Sequence, residues 1–180
     1  IDIGLSTNTI IEYAADSILV KSGLTQQEIR KTSVPKIPIR LEMLESGKLK
    51  GACLPQPLAT LAQSKGAKVI ATSTQQGLAP SVMVFSGKAI MEKRNELKKV
   101  YQAYNKAIEQ LNTDKENLMD IIIEKAKFPS EIKEIIQLPK YNKAIVPKET
   151  DTEQVLQWMS KKGLLKKELK HNEMIEKGLF

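Results

Sequence analysis

The residue types that carry most redox and metal chemistry are nearly missing: the 180-residue sequence has one cysteine, Cys53, and one histidine, His171. A single cysteine excludes an intrachain disulfide framework and a multi-cysteine metal site. A single histidine argues against a His-based metal centre or a catalytic triad. No catalytic residue, metal ligand or cofactor is therefore expected. Aromatic residues make up only 4% of the chain, with one tryptophan. No apolar run approaches the roughly 20 residues that a membrane span needs. A starting Met and a signal-peptide pattern are both lacking, so a processed product or a fragment is expected.

What is present is 41% hydrophobic and 27% charged, with a net charge of +7, which reads as a soluble globular protein of one domain or two small ones. The excess charge is lysine, densest in "SKKGLLKKELKH" at 160–171. Nucleic-acid binding wants basic residues interleaved with stacking aromatics. None lies inside that cluster, so nucleic acid is set aside and the cluster reads as a solvated helical surface. A positive field still helps to attract anionic solutes.

Periodicity divides the chain. Residues 1–76 alternate strand and helix, an α/β pattern. A strand at 1–5 leads into a helical stripe of Ile10, Ile11, Ala14, Ala15, Ile18 and Leu19, stopped by Ser22-Gly23. Strands follow at 29–35 ("IRKTSVP"), 51–55 ("GACLP") and 67–72 ("AKVIAT"). Between them lie a short helix through Ile39, Met43 and Leu44 and a second at 58–66 with Gly66 at its end. Four strands with short helical crossovers predict a mostly parallel sheet covered on both faces. Past "STQQGLAPS" at 73–81 the texture changes. One more strand, "SVMVFS" at 81–86, precedes helices predicted at 88–111, 115–127, 130–137 and 151–162 and a basic C-terminal turn or helix. Asn112-Thr113-Asp114 and Thr150-Asp151 read as helix-start signals.

With that organisation the chain resembles the C-terminal part of an ABC-importer solute-binding protein, of the group that takes up nitrate, sulfonates, taurine and pyrimidine precursors. The matching stretches are "IGLSTNTIIEYAADSILVKSGL", "MLESGKLKGACLPQPLATLAQSKGAKVIA", "KRNELKKVYQAYNKAIEQLN" and "VLQWMSKKGLLKK", in one consistent order. The resemblance implies a type II periplasmic-binding-protein-like fold, with two α/β lobes closing by hinge bending on a ligand between them. Residues 1–76 would form the complete second lobe, and 77–180 the hinge crossing and the helical completion of the first. The first lobe would lack its leading strands, so self-association, or pairing with a separate segment, is expected across 81–86. It further implies an extracytoplasmic receptor, periplasmic or anchored as a lipoprotein, that delivers a small polar or anionic solute to membrane permease subunits. Family members often carry an acidic residue where Gln56 stands and an Asp where Lys50 stands, so the resemblance implies a cleft less suited to an amine.

The candidate ligand-binding residues are Ser6, Thr7, Asn8, Thr9, Tyr13, Gln56 and Gln76. In open α/β sheets ligands bind outside the carboxyl ends of the strands. "STNT", "SVP" and "PQP" fall there, after the first, second and third strands. "STNT" offers hydroxyls, an amide and the N–H groups of a helix start, a ready anion site as well as a cap. Gln56 stands between two prolines that restrict its backbone. Tyr13 is also a candidate for core or surface packing, and Gln75 and Gln76 lie at the crossing. Cys53 reads as a buried small hydrophobe, Trp158 as core, and Glu12 and Asp16 as surface residues on one helix face. Two other functions are alternatives. A ligand-sensing domain of a transcription regulator would carry a DNA-binding helix pair upstream. A pyrimidine-synthase-like enzyme of the same fold relies on a histidine and a cysteine-rich iron motif, whereas this sequence has one cysteine and its only histidine lies near the C-terminus.

Overall fold

Short β-rich runs separated by amphipathic helices give parallel pairing in the computed structural model, which describes residues 2–75, 77, 78 and 81–179. The chain is α/β and divides into two compact units, 1–80 with 123–137 and 81–122 with 138–180.

In the first unit, β1 (Ile3–Leu5) lies at the centre of a three-stranded parallel sheet of order β2-β1-β3. β2 is Lys31–Ser33 and β3 is Gly51–Ala52. Ile3 stands opposite Lys31 and Gly51, and Leu5 stands opposite Ser33. The chain passes from β1 through α1 (Ile10–Lys21) to one edge, then back across β1 through α2 (Ile37–Glu45) to the other. The two crossovers cover opposite faces. Lys31 shares a face with its register partner Ile3 and bonds Glu12 and Asp16 of α1. A Cβ on Gly4, which points the other way, would meet Leu49 and the Arg40 Cγ behind it. α3 (Leu58–Ser64) packs against α2 and so lies on the Gly4 face. Strand order thus reverses between β1 and β3, a topological switch point with its crevice at the carboxyl edge. Ile132 and Ile136, in the returning segment, are buried.

In the second unit, α4 (Gly87–Glu92) and α5 (Arg94–Thr113) meet at Lys93. Leu97, Tyr101 and Leu179 form a core that Phe85, Ile90 and Ala144 pack against, with the Phe85 and Tyr101 rings edge to face at 6.1 Å. Side chains of α5 hold an irregular segment: Asn112 Nδ2 donates to Tyr141 O (2.7 Å) and Asn105 Oδ1 accepts from Ala144 N (2.8 Å). α7 (Glu149–Lys161) and the short α8 (His171–Met174) complete this unit, while α6 (Lys115–Ala126) spans the division between the two.

Several expected elements differ. Neither 67–72 nor 81–86 is a strand: no ladder partner is present for either among the described residues, and Ile70 and Val84 stand 90% and 83% exposed. β-propensity expresses itself only against a neighbouring strand. The helix expected at 88–111 breaks at Lys93, where no sequence signal stands; the break lets Ile90 and Leu97 both reach the core. Only a single 3-10 turn, Ser130–Ile132, forms where a helix was expected at 130–137. α7 starts two residues early, from Lys148, placing Thr150 and Asp151 within its first turn. Glu12 and Asp16 are not surface residues, being 2% and 3% exposed. Trp158 is half-buried with the Lys162 ammonium 5.1 Å from its ring centroid.

The packing at Gly4 gives a direct test. Any side chain there drives into Leu49 and crowds Arg40. Gly4→Ala is expected to cost about 1–3 kcal/mol by overpacking, read as a lower urea midpoint at unchanged slope. An unchanged midpoint would show that this face has room to spare.

Candidate functional site

The carboxyl edge of the sheet is held by one side chain. Arg40 sits three residues into an apolar stripe of α2 (Ile37, Leu41, Leu44), so helical periodicity turns it inward. It is 0% exposed. Its Nε and Nη2 donate to Val34 O, just after β2, at 3.1 and 2.7 Å. Nη1 donates to Cys53 O, just after β3, at 2.5 Å. Nη2 also donates to the hydroxyl of Ser6, just after β1, at 2.5 Å. One guanidinium therefore ties the ends of all three strands. Among the described residues no carboxylate lies within ion-pair distance of it. Burial pushes its pKa below the ordinary arginine value, with the nearby Cys53 acting in the opposite direction. Cys53 does not supply a counter-charge at neutral pH: burial holds its thiol pKa above the usual value, against the pull of Arg40 and with Asp16 adding to the rise.

The loop after β1 is built as a helix start. Thr9 is the N-cap of α1, its Oγ1 accepting from Ile11 N at 3.2 Å and donating to Ser6 O at 2.8 Å. Asn8 adopts a left-handed conformation (φ 58°), which asparagine tolerates. That turn aims its N–H at Glu12 Oε2, 2.6 Å away. Glu12 is thus the acidic partner of a Thr-x-x-Glu capping pattern, displaced by one residue. It is also one of three members of a largely buried charge group. Lys31 Nζ lies 2.9 Å from Glu12 Oε1 and 2.5 Å from Asp16 Oδ1. Burial opposes charge on Lys31, but its hydrogen bonds and ion pairs with Asp16 and Glu12 prevail and raise its pKa above 10.5.

The structure brings five of the seven expected residues to the carboxyl edge. Ser6 is buried there, with its hydroxyl also donating weakly to Pro35 O at 3.3 Å. Thr7, Asn8 and Thr9 are exposed, and Thr7 Oγ1 meets Ser33 Oγ at 3.1 Å, linking the loops after β1 and β2. Gln56 is exposed on the loop after β3, where its Oε1 accepts from Thr60 N and Oγ1 at 3.2 and 2.8 Å. It works as a cap for α3 and keeps its amide nitrogen at the surface. Tyr13 points into the core instead, because α1 turns it away from the edge. Gln76 lies outside the described residues. Of the amides expected to receive a ligand, that of Asn8 is taken by Glu12.

Sequence reading missed Arg40, although a lone cation inside an apolar stripe is itself a signal. It also missed the buried role of Glu12, which its spacing from Thr9 marks. His171, in the second unit, meets Thr152 Oγ1 at 2.8 Å through Nδ1. Among the described residues no group of three or more His, Cys, Asp or Glu is placed to hold a metal ion. No helix among them is long and apolar enough to cross a membrane. Comparison with family models, with curated proteins and with solved structures returns no match for the chain.

The Lys31 group sets a pH dependence. A lysine whose pKa is raised by folding contributes stability in full below its unfolded value of 10.5 and loses it as pH climbs through the folded value. Lys31→Met removes the cation shared by two buried carboxylates and is expected to cost about 3–5 kcal/mol. The gap in melting temperature between wild type and this variant stays constant from neutral pH to about 10, then narrows. A gap that persists unchanged to higher pH would show that packing, not charge, sets it.

Proposed function

We propose that this chain is the solute-binding part of an ABC importer, a type II periplasmic-binding-protein-like receptor that acts outside the cytoplasm. It takes up a small polar or anionic solute of the nitrate, sulfonate, taurine or pyrimidine-precursor kind. It passes that solute unchanged to membrane permease subunits. The observation that carries the reading is the meeting of three strand-end loops at one parallel-sheet edge, where Thr7, Asn8 and the Gln56 amide nitrogen stay at the surface. Strand ends at a switch point are where α/β folds place ligands. Arg40 fixes those loops from beneath, so the polar groups above it are preorganised and little ordering entropy is lost on binding.

The test separates binding from capping. Native mass spectrometry of the purified chain identifies a co-purifying solute, and calorimetry then measures its affinity. Replacing Thr7 and Asn8 together by Ala is expected to weaken binding tenfold or more, about 1.4 kcal/mol, with Thr7→Ala alone as the control for melting, since Ala at the positive φ of Asn8 itself lowers stability. Thr9→Ala removes the N-cap and lowers stability by about 1 kcal/mol. A Thr7/Asn8 variant that binds as wild type would reduce the loop to a helix start.

A further inference from the structure

A charge with no opposite charge beside it is rare inside a protein, since buried charges are ordinarily paired. Among the described residues, Arg40 is such a charge. All its hydrogen bonds end on neutral oxygens, those of Val34, Cys53 and Ser6. The buried carboxylates of this unit, Glu12 and Asp16, belong to α1 on the opposite face and hold Lys31. Two of Arg40's three partners are backbone carbonyls, which cannot pass a proton donor onward. The third is a hydroxyl, and it can: an oxygen that accepts from a cation becomes a stronger donor through its own O–H. The Ser6 hydroxyl spends that O–H on a long contact to Pro35 O at 3.3 Å. Its residue opens the loop on which Thr7 and Asn8 are exposed.

We propose that the strand-end site is selective for an anionic group, and that Ser6 turns its hydroxyl from Pro35 to that group, presenting the charge of Arg40 to it. Arg40 is a positioning residue in this arrangement, too deep to touch the ligand. The anion completes the charge balance of the Arg40 side of the sheet. This inference rests on the solute-binding reading and narrows it to anions. Hydroxyl donation also replaces the helix amide that Glu12 already occupies at Asn8.

The experiment titrates the 180-residue chain at constant ionic strength with methanesulfonate, nitrate and acetate, and with two controls. Methanesulfonamide is a neutral near-isostere and ethylammonium a cation. Binding is read by calorimetry and by shifts in melting temperature. At least one anion is expected to bind saturably, with methanesulfonamide at least tenfold weaker than methanesulfonate. Ser6→Ala is expected to lose tenfold or more in anion affinity and to bind methanesulfonamide as wild type does, while Ser6→Thr, which keeps the hydroxyl, retains the anion. The ratio of anion to neutral affinity is a readout that a merely structural role for Ser6 would not move. It is measured on the wild type alone should Ser6→Ala fail to fold. Equal binding of the neutral or cationic control overturns the anion inference and leaves the solute-binding reading standing, as does a Ser6→Ala variant with wild-type anion affinity. Absence of saturable binding by every probe into the millimolar range overturns both.

Discussion

The carboxyl edge of the small parallel sheet depends on a single buried cation. A guanidinium has five donors in a rigid plane and no way to shed its proton, so enclosing it requires acceptors fixed at set directions. Arg40 finds them in the three chain segments that leave the sheet, through Val34 O, Cys53 O and the Ser6 hydroxyl. The strands themselves are only two or three residues long. So little ladder cannot alone hold three loops in register, and the arginine supplies the missing constraint. It also dictates its surroundings. Gly4 carries no side chain where the Arg40 stem passes, and Leu49 closes over the same spot.

The two faces of the sheet carry different electrostatics. On one, Glu12 and Asp16 hold Lys31; on the other, Arg40 is enclosed by neutral oxygens. The carboxylates of α1 and the guanidinium thus sit on either side of the strands rather than in contact. Glu12 spends its second oxygen on the start of α1, at Asn8. The positive end of that helix is therefore partly answered from within the chain. What is left facing solvent at the strand ends is a set of hydroxyls and amides backed by a cation, a surface that favours a negative or strongly polar partner.

Alternation and punctuation made the first three strands and three helices legible, because each apolar run there ends at a turn residue and finds a neighbour. Ser22-Gly23, Gly47 and Gly66 mark helix ends that the structure keeps, with all three glycines at positive φ. The runs at 67–72 and 81–86 read equally well as strands, yet pairing is a property of two segments and one sequence window cannot contain it. Ser6, Thr7, Asn8 and Gln56 were legible as edge residues from topology alone. Tyr13 was misplaced because it lies one turn into α1, where the helix has already rotated inward. Arg40, Glu12 and Asp16 escape a sequence reading for a common reason: polar residues are assigned to surfaces by default, and the position of each on a buried stripe, the contrary signal, carries less weight.

The central claim is that the strand-end loops held by Arg40 form the binding surface. Nitrogen-resolved magnetic resonance during a methanesulfonate titration tests it most directly, since it reports every amide and the Arg40 Nε–H together. The account predicts saturable shifts concentrated at Ser6, Thr7, Asn8, Thr9 and Gln56, with the Arg40 Nε–H signal moving in step. Shifts that scatter over the lysine-rich 160–171 surface, leaving Arg40 and the strand-end loops unmoved, would contradict it.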